Sequence, residues 1–326
     1  MTISRWHRTT ARLSTLAGAV FGSIAAAAQA PLPDIAFTVP PGFAVERACP
    51  EVRSFIAMTF DGEGRAFLSV EAGPILVASD PGRDGTFETV KVYTDQVKYC
   101  MGLAWIEGAL YAVGNGDVAP GKPGHGIFRV TDADGELAAD RGELLAAVTG
   151  MGEHGTHAVV LGPDRHLYFA VGNHSSIVVP FADDSPLLRG YEGAILPPLY
   201  DPNGHAINCR YPGGVVARAT LDRTRWTYHS TGFRNHYDIA FNRWGDLFTF
   251  DSDMEWDCGV PWYRDVRIVH CTPAGDFGWR TSSANWPETH FDSLPPMANA
   301  GRGSPTGVAV YDHHRFPARY QGAVIA

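Results

Sequence analysis

Positive charge is in short supply in this chain. Its 326 residues carry 26 lysines and arginines against 35 aspartates and glutamates, a formal net charge of −9. Nucleic acid and anionic membrane surfaces both require clustered positive charge, so neither is expected as a partner. Cysteine is scarce too. Cys49, Cys100, Cys209, Cys258 and Cys271 form no C-x-x-C and no C-x-x-C-H. A zinc ribbon and covalently attached haem are therefore excluded from this segment. Past the first thirty residues, no apolar run approaches the roughly 20 residues that span a bilayer. No long 3.6-period apolar stripe marks an amphipathic helix. The chain instead holds 36 glycines and 23 prolines, and the combination points to an all-β fold.

The first thirty residues differ from the rest. Arg5, Arg8 and Arg12 form a basic start, Leu13 to Ala28 is apolar and small, and Ala28-Gln-Ala30 is a small-x-small cleavage site. This reads as a secretory signal peptide cleaved after Ala30, followed by one domain over residues 31–326, periplasmic or secreted. Without those three arginines, 23 basic residues face 35 acidic ones, a net charge of −12. In an oxidising compartment, one or two disulfides are expected among the five cysteines.

A strand–turn–strand pattern recurs along residues 31–326. Its copies begin at Ile56, Gly102, His157, Tyr237 and Gly307, with second strands from Ala66, Ala109, His166, Leu247 and Ala323. The starts lie 46, 55, 80 and 70 residues apart, a spacing that suits propeller blades carrying loop insertions. A β-sandwich, the second reading, would not repeat over so long a period. The expected fold is thus a β-propeller, six-bladed when complete. Since the chain stops inside a strand of the fifth copy, a C-terminally truncated ring is expected. Residues 173–212 and 281–305 are Pro- and Gly-rich insertions, read as loops at the blade ends, where propeller pockets form. The Asp-Gly segments at Asp80–Gly85 and Asp132–Gly135 read as ordinary turns.

Three groups of residues could carry chemistry. Glu153-His154-Gly155 precedes the third copy, and a histidine beside a carboxylate can accept a proton near neutral pH. Arg234-Asn235 holds the equivalent place before the fourth copy. Equivalent loops of neighbouring blades converge on the axis, so a base and an anion-binding fork should line one pocket. A separation of roughly 6–12 Å would let both reach a planar ligand. Arg234 has a structural alternative, as a clamp on a neighbouring carboxylate. Finally, Asp251, Asp253, Glu255 and Asp257 alternate after the second strand of the fourth copy. In an extended chain they would share a face, and such carboxylates need a cation or arginines between them. The candidates are a calcium-sized ion, held by Asp251, Asp253 and Glu255, or Arg264 and Arg267.

With these residues in view, EHGTHAVVLGPDRHLYFAVGNH, GFRNHYDIAFNRWGDLF and GDFGWR resemble the soluble pyrroloquinoline-quinone (PQQ)-dependent sugar dehydrogenases, including sorbosone-dehydrogenase-like proteins. With DSDMEWD, PWYRDVRIVH and GRGSPTG, residues 41–326 resemble more closely the N-terminal propeller of large exported "membrane-bound dehydrogenase" proteins. In those, a helical-repeat region and a haem-binding cytochrome-c-type domain often follow. The resemblance implies oxidation of a sugar or other alcohol with PQQ, and electron transfer to a cytochrome-type acceptor in the same full-length chain or another. It implies His154 as the catalytic base and Arg234 and Asn235 as cofactor contacts. It also implies calcium, although the family's Glu-x-Gly-Pro turn that holds this ion is replaced here by Asp251-Ser-Asp253-Met254. The family's later basic residues, which clasp the quinone, would lie past Ala326. Two other readings are a calcium-dependent lactonase of the six-bladed type, with His154 and the acids as base and metal shell, and a non-catalytic propeller that binds a partner.

Overall fold

The computed structural model describes residues 36–49, 53–150, 152–193, 197, 199–200, 206–255, 257, 263–281, 284–304 and 306–326. The signal segment and Cys258 lie outside them. Contacts divide the chain into residues 1–45 and residues 46–326. Of the first unit, residues 36–45 hold a turn closed by Phe43 N on Pro40 O at 3.1 Å. All the sheets belong to the second unit.

That unit is a succession of antiparallel sheets. Blade 1 consists of β1 (Phe55–Phe60), β2 (Ala66–Val70), β3 (Ile75–Ser79) and β4 (Thr89–Thr94). Blade 2 consists of β5 (Lys98–Ile106), β6 (Ala109–Ala119), β7 (Lys122–Thr131) and β8 (Arg141–Thr149). Blade 3 opens with β9 (Thr156–Leu161) and β10 (His166–Val171). The chain then returns to add β11 (Ser176–Ile177) to the outer edge of β8, and completes blade 3 with β12 (Gly214–Thr220) and β13 (Trp226–Phe233). Blade 4 takes β14 (His236–Phe241), β15 (Leu247–Asp251) and β16 (Arg267–Cys271). Next, β17 (Gly275–Asp276) pairs parallel to β13, and β18 (Trp279–Arg280) pairs with β19 (Ala284–Asn285). Then β20 (Ala298–Asn299) closes blade 4, and β21 (Ala309–Val310) pairs with β22 (Val324–Ile325).

The first strands β1, β5, β9, β14 and β21 lie side by side in that order. They enclose a channel of about 640 Å³ lined by Met58, Leu103, Val160, Asp238 and Val308, among others. Radial sheets whose first strands line a shared channel are the blades of a propeller. The five sequence copies coincide with the first two strands of four blades and with the β21–β22 hairpin.

Strand alternation makes this stacking work, because successive side chains leave a sheet on opposite faces. On β10, Leu167, Phe169 and Val171 face blade 2, packing with Tyr111, Val113 and Ile127. Tyr168 and Ala170 face the other way, into blade 4 beside Ile239, Leu247 and Val269. Phe67, Ile75 and Val77 likewise pack against Leu110, Ala112 and Phe128. Blades 1, 2 and 3 are thus apolar on both faces. In blades 1, 3 and 4 the turns between first and second strands carry an acid or amide that caps them. Asn242 Oδ1, for example, accepts from Trp244 N at 3.0 Å and Asp246 N at 2.9 Å.

The disulfide expectation is corrected for the described cysteines. Cys49, Cys100, Cys209 and Cys271 are free thiols. Cys100 and Cys271 are buried in separate inter-blade cores, and burial pushes both thiols well above their usual range.

Candidate active site

The loops that lead into β9 and β14 meet at the end of the channel where the first strands begin. They border a pocket of about 700 Å³, lined by Tyr99, Met101, His154, Arg234, Asn235, Asp253 and Glu255, among others. Met101, Tyr237 and Thr306 belong to both pocket and channel. His154 and Arg234 therefore share one pocket, although they stand 80 positions apart in the chain.

Their spacing differs from expectation. His154 Nε2 and Arg234 Nη1 are 3.2 Å apart, in direct contact rather than roughly 6–12 Å from each other. A guanidinium only donates, so Nε2 must accept, and the ring proton must sit on Nδ1. Nδ1 indeed faces Asn173 Oδ1 at 2.6 Å. The His154 ring stacks on His174 at 4.3 Å between centroids and is 2 % exposed. A buried imidazole is thus held in one tautomer, with its lone pair toward the pocket.

Arg234 does what its structural alternative describes. Its Nε lies 3.0 and 2.9 Å from the two carboxylate oxygens of Asp257, and Asp257 also accepts from Trp279 Nε1 at 2.7 Å. Asp257 is buried. Asn235 is a spacer as much as a lining residue. Its Nδ2 donates to Glu153 O at 2.8 Å, and its Oδ1 accepts from His157 Nε2 at 2.8 Å. Burial pushes His157 down to about 4, so its ring is neutral and donates from a single nitrogen. Gly172 packs beneath both loops: a Cβ there would come within 2.5 Å of His154 O and 2.8 Å of Asn235 Oδ1.

The four alternating acids separate instead of sharing a face. β15 ends at Asp251, and Met254 then bridges to Arg264 through the backbone, so the extended alternation is broken. Asp251 is fully buried. Its Oδ1 accepts from Arg234 N and Asn235 N, each at 2.9 Å, and its Oδ2 pairs with Arg267. The cation-ligand assignment of Asp251 is corrected on this ground, since two amides and a guanidinium occupy both of its oxygens. Arginines also explain Asp257. Only Asp253 and Glu255 of the four line the pocket. Burial, followed by the nearby Glu255 carboxylate, raises the Asp253 pKa. Among the described residues, acids close enough to share one cation occur elsewhere, at Asp80, Asp84 and Glu88 and at Asp132, Asp134 and Asp140. In both turns backbone amides occupy carboxylate oxygens, as in Gly85 N on Asp80 at 2.8 Å and Leu137 N on Asp132 at 2.8 Å.

Sequence reasoning passed over Asn173, His157, Gly172 and Trp279. The first three lie in EHGTHAVVLGPDRHLYFAVGNH, where Gly172-Asn173-His174 at the end of β10 was a usable signal.

No family model and no curated protein matches this chain. Solved structures do match. A glucose dehydrogenase is similar over 83 % of this chain and 79 % of its own, with a TM-score of 0.56 and 15 % identity. The PQQ-bound aldose sugar dehydrogenase of Streptomyces coelicolor is similar over 81 % and 74 %, with a TM-score of 0.55 and 15 % identity. A putative oxidoreductase (glucose dehydrogenase) of Thermus thermophilus covers 81 % and 75 %, with a TM-score of 0.55 and 18 % identity. The chain has the propeller fold of these dehydrogenases. At such identities the likeness extends to the fold.

Proposed function

We propose that the pocket at His154 oxidises the hydroxyl of a sugar or other alcohol with PQQ. The observation that carries the reading is the fixed His154 lone pair, in a pocket shared with Arg234 and Asn235. A base that must take a hydroxyl proton needs its acceptor nitrogen unprotonated and aimed at the substrate. Asn173 fulfils that requirement by holding the proton on Nδ1. A substrate hydroxyl would compete with Arg234 Nη1 for the same lone pair.

Charge sets a condition on the cofactor. Glu153, Asp253 and Glu255 line the pocket, while the Arg234 charge is balanced by Asp257. A tricarboxylate beside three acids requires a divalent cation between them. Asp253 and Glu255 are the proposed calcium ligands, with the outer nitrogens of Arg234 and the Asn235 amide as cofactor contacts. Bound quinone would supply the hydride acceptor. Electrons would pass to a cytochrome-type acceptor, and the chain would be exported with cleavage after Ala30. Among the described residues no helix is long and apolar enough to cross a membrane.

Dye reduction on the full chain, titrated with PQQ and calcium, tests the reading. Turnover should require both, and His154→Ala should lower it by about 10²–10⁴-fold. Quinone binding that ignores calcium, or full activity in the His154 variant, would overturn it. A second reading rests on Asp253 and Glu255 beside a histidine, which also suits calcium-dependent lactone hydrolysis. Lactone cleavage without quinone would favour it.

A further inference from the structure

The first strand of each full blade bulges near its start. In β14, His236 pairs with Asp251 and Ile239 with Thr249, so β14 uses one residue more than β15 over the same stretch. β1 and β9 each carry one extra residue at the same place. β5 carries two, since Lys98 pairs with Asn115 and Gly102 with Val113. Bulges beside pockets re-aim side chains, so the second extra residue of blade 2 points to a side chain placed for this pocket.

That side chain is Tyr99. Cys100, in the middle of the bulge, turns into the core and is fully buried, while Tyr99 and Met101 on either side line the His154 pocket. The Tyr99 backbone has a φ of 50°, and among the described residues no other non-glycine residue within a strand has a positive φ. A bulky residue takes this left-handed conformation at a cost, and keeps it only where the surroundings hold it. Here they do. Tyr99 N donates to Gly73 O at 3.2 Å. Gly114, opposite the bulge, leaves the room: a Cβ there would come within 2.8 Å of Lys98 O and 2.7 Å of Cys100 Sγ.

Behind Tyr99 lies a second cavity, of about 470 Å³. Among the described residues Tyr99 alone borders both it and the His154 pocket, and so is the partition between them. Both volumes fall in the range of small-molecule sites, about 300–1,000 Å³. The far walls are polar and include Asp95, Lys98, Asn115 and Asp117. Lys98 stands opposite Asn115 across β5 and β6, and Asp117 is two positions further on, so alternation puts these three on one face. A cation, an amide and carboxylates together offer the donors and acceptors that sugar hydroxyls require. We propose that Tyr99 sets the size of the saccharide admitted to the His154 pocket, by closing the way to a subsite for a second sugar unit. For its substrate class this rests on the reading above. With the side chain in place a monosaccharide fills the pocket; with it shortened, a disaccharide extends past it toward Lys98, Asn115 and Asp117.

Calorimetric titration of the full chain with D-glucose and, separately, maltose tests this without requiring turnover. Wild type should bind glucose more tightly than maltose. Tyr99→Asn keeps a residue suited to positive φ but shortens the side chain. It should gain about tenfold or more in maltose affinity and change less for glucose. Tyr99→Gly should behave alike, whereas Tyr99→Phe keeps the ring and should keep the wild-type ratio; circular dichroism checks that each is folded. Maltose affinity unchanged in both shortened variants, maltose bound by wild type as tightly as glucose, or no binding of either sugar to any of these proteins would each overturn the proposal. Dye reduction with PQQ and calcium on the same proteins judges the oxidation reading separately. Sugar binding without dye reduction would remove that reading and leave the role of Tyr99 intact.

Discussion

Gly172 is the residue on which the site is most tightly folded. With 2.5 Å to His154 O and 2.8 Å to Asn235 Oδ1, a methyl group can be added only by moving one loop or the other. Gly172→Ala should destabilise the protein by about 1–3 kcal/mol, the usual range for overpacking. Urea denaturation measures this, and an unchanged midpoint would mean that the loops yield freely. At this scale the sequence was legible where position in the repeat mattered. His154 and Arg234-Asn235 stand immediately ahead of first strands, and that recurrence alone brings them to one pocket. Partners were not legible in the same way. Nothing local to Asp257 says that it meets Arg234 and Trp279, because that pairing depends on how blade 4 folds back toward β18. Alternation misled at Asp251 for a related reason: it presumes an extended chain, and β15 ends there.

Among the elements, β14 and β21 are joined by one carboxyl group. Asp238 accepts from Ile239 N at 2.8 Å and, across the blade boundary, from Val308 N at 2.9 Å. Burial raises its pKa to about 6. A folded pKa above the unfolded one favours the protonated form, so this contribution is full below about pH 4 and is lost as pH rises through about 6. About two units correspond to roughly 3 kcal/mol. Asp238→Ala should therefore remove a contribution that falls as pH rises, leaving a steeper loss of stability on acidification between about pH 6 and 4 in urea titrations. A profile identical to wild type would mean that Asp238 does not titrate there. In blades 1, 3 and 4 the first hairpin begins within one residue of the pattern, whereas β5 begins four residues before Gly102, and β3, β4, β8, β13 and β16 were not read from the sequence. Turn chemistry marks the first hairpin of each blade, as Asn242 and Gly245 do between β14 and β15. Short pairings such as β11 on β8 and β17 on β13 left no pattern, because two residues cannot show a period.

For the whole molecule, burial of uncharged histidines sets the acid limit. Burial lowers His157 and His229 to about 4 and His236 to about 3. All three lie in or beside the loops and strands of blades 3 and 4. A depressed histidine pKa stabilises the fold above the unfolded value near 6.5, and that contribution is lost as pH falls through the folded value. Below about pH 6.5 the unfolded chain should take up more protons than the folded one. This opposes the Asp238 effect, so stability should decline less steeply toward pH 5 than the histidines alone dictate. Asp238→Ala should expose the full histidine slope, and His236→Phe should reduce it, both read from thermal midpoints between pH 4 and 7. The blade architecture was visible in the sequence because period and alternation are properties of the chain itself. The small cavity bordered by Arg267 and Trp286 was not, since its walls come from different elements.

The amide at Asn173 decides which way a proton can travel. A carboxylate in its place could share the charge of a protonated His154, whereas an amide oxygen only accepts the Nδ1 hydrogen bond and passes nothing onward. The inner side of the imidazole is a dead end. On the outer side, Glu153 Oε1 lies 3.9 Å from Nε2, on a side chain that is 70 % exposed. A proton that His154 collects from the pocket can leave back across the face where it arrived and over Glu153 to the water.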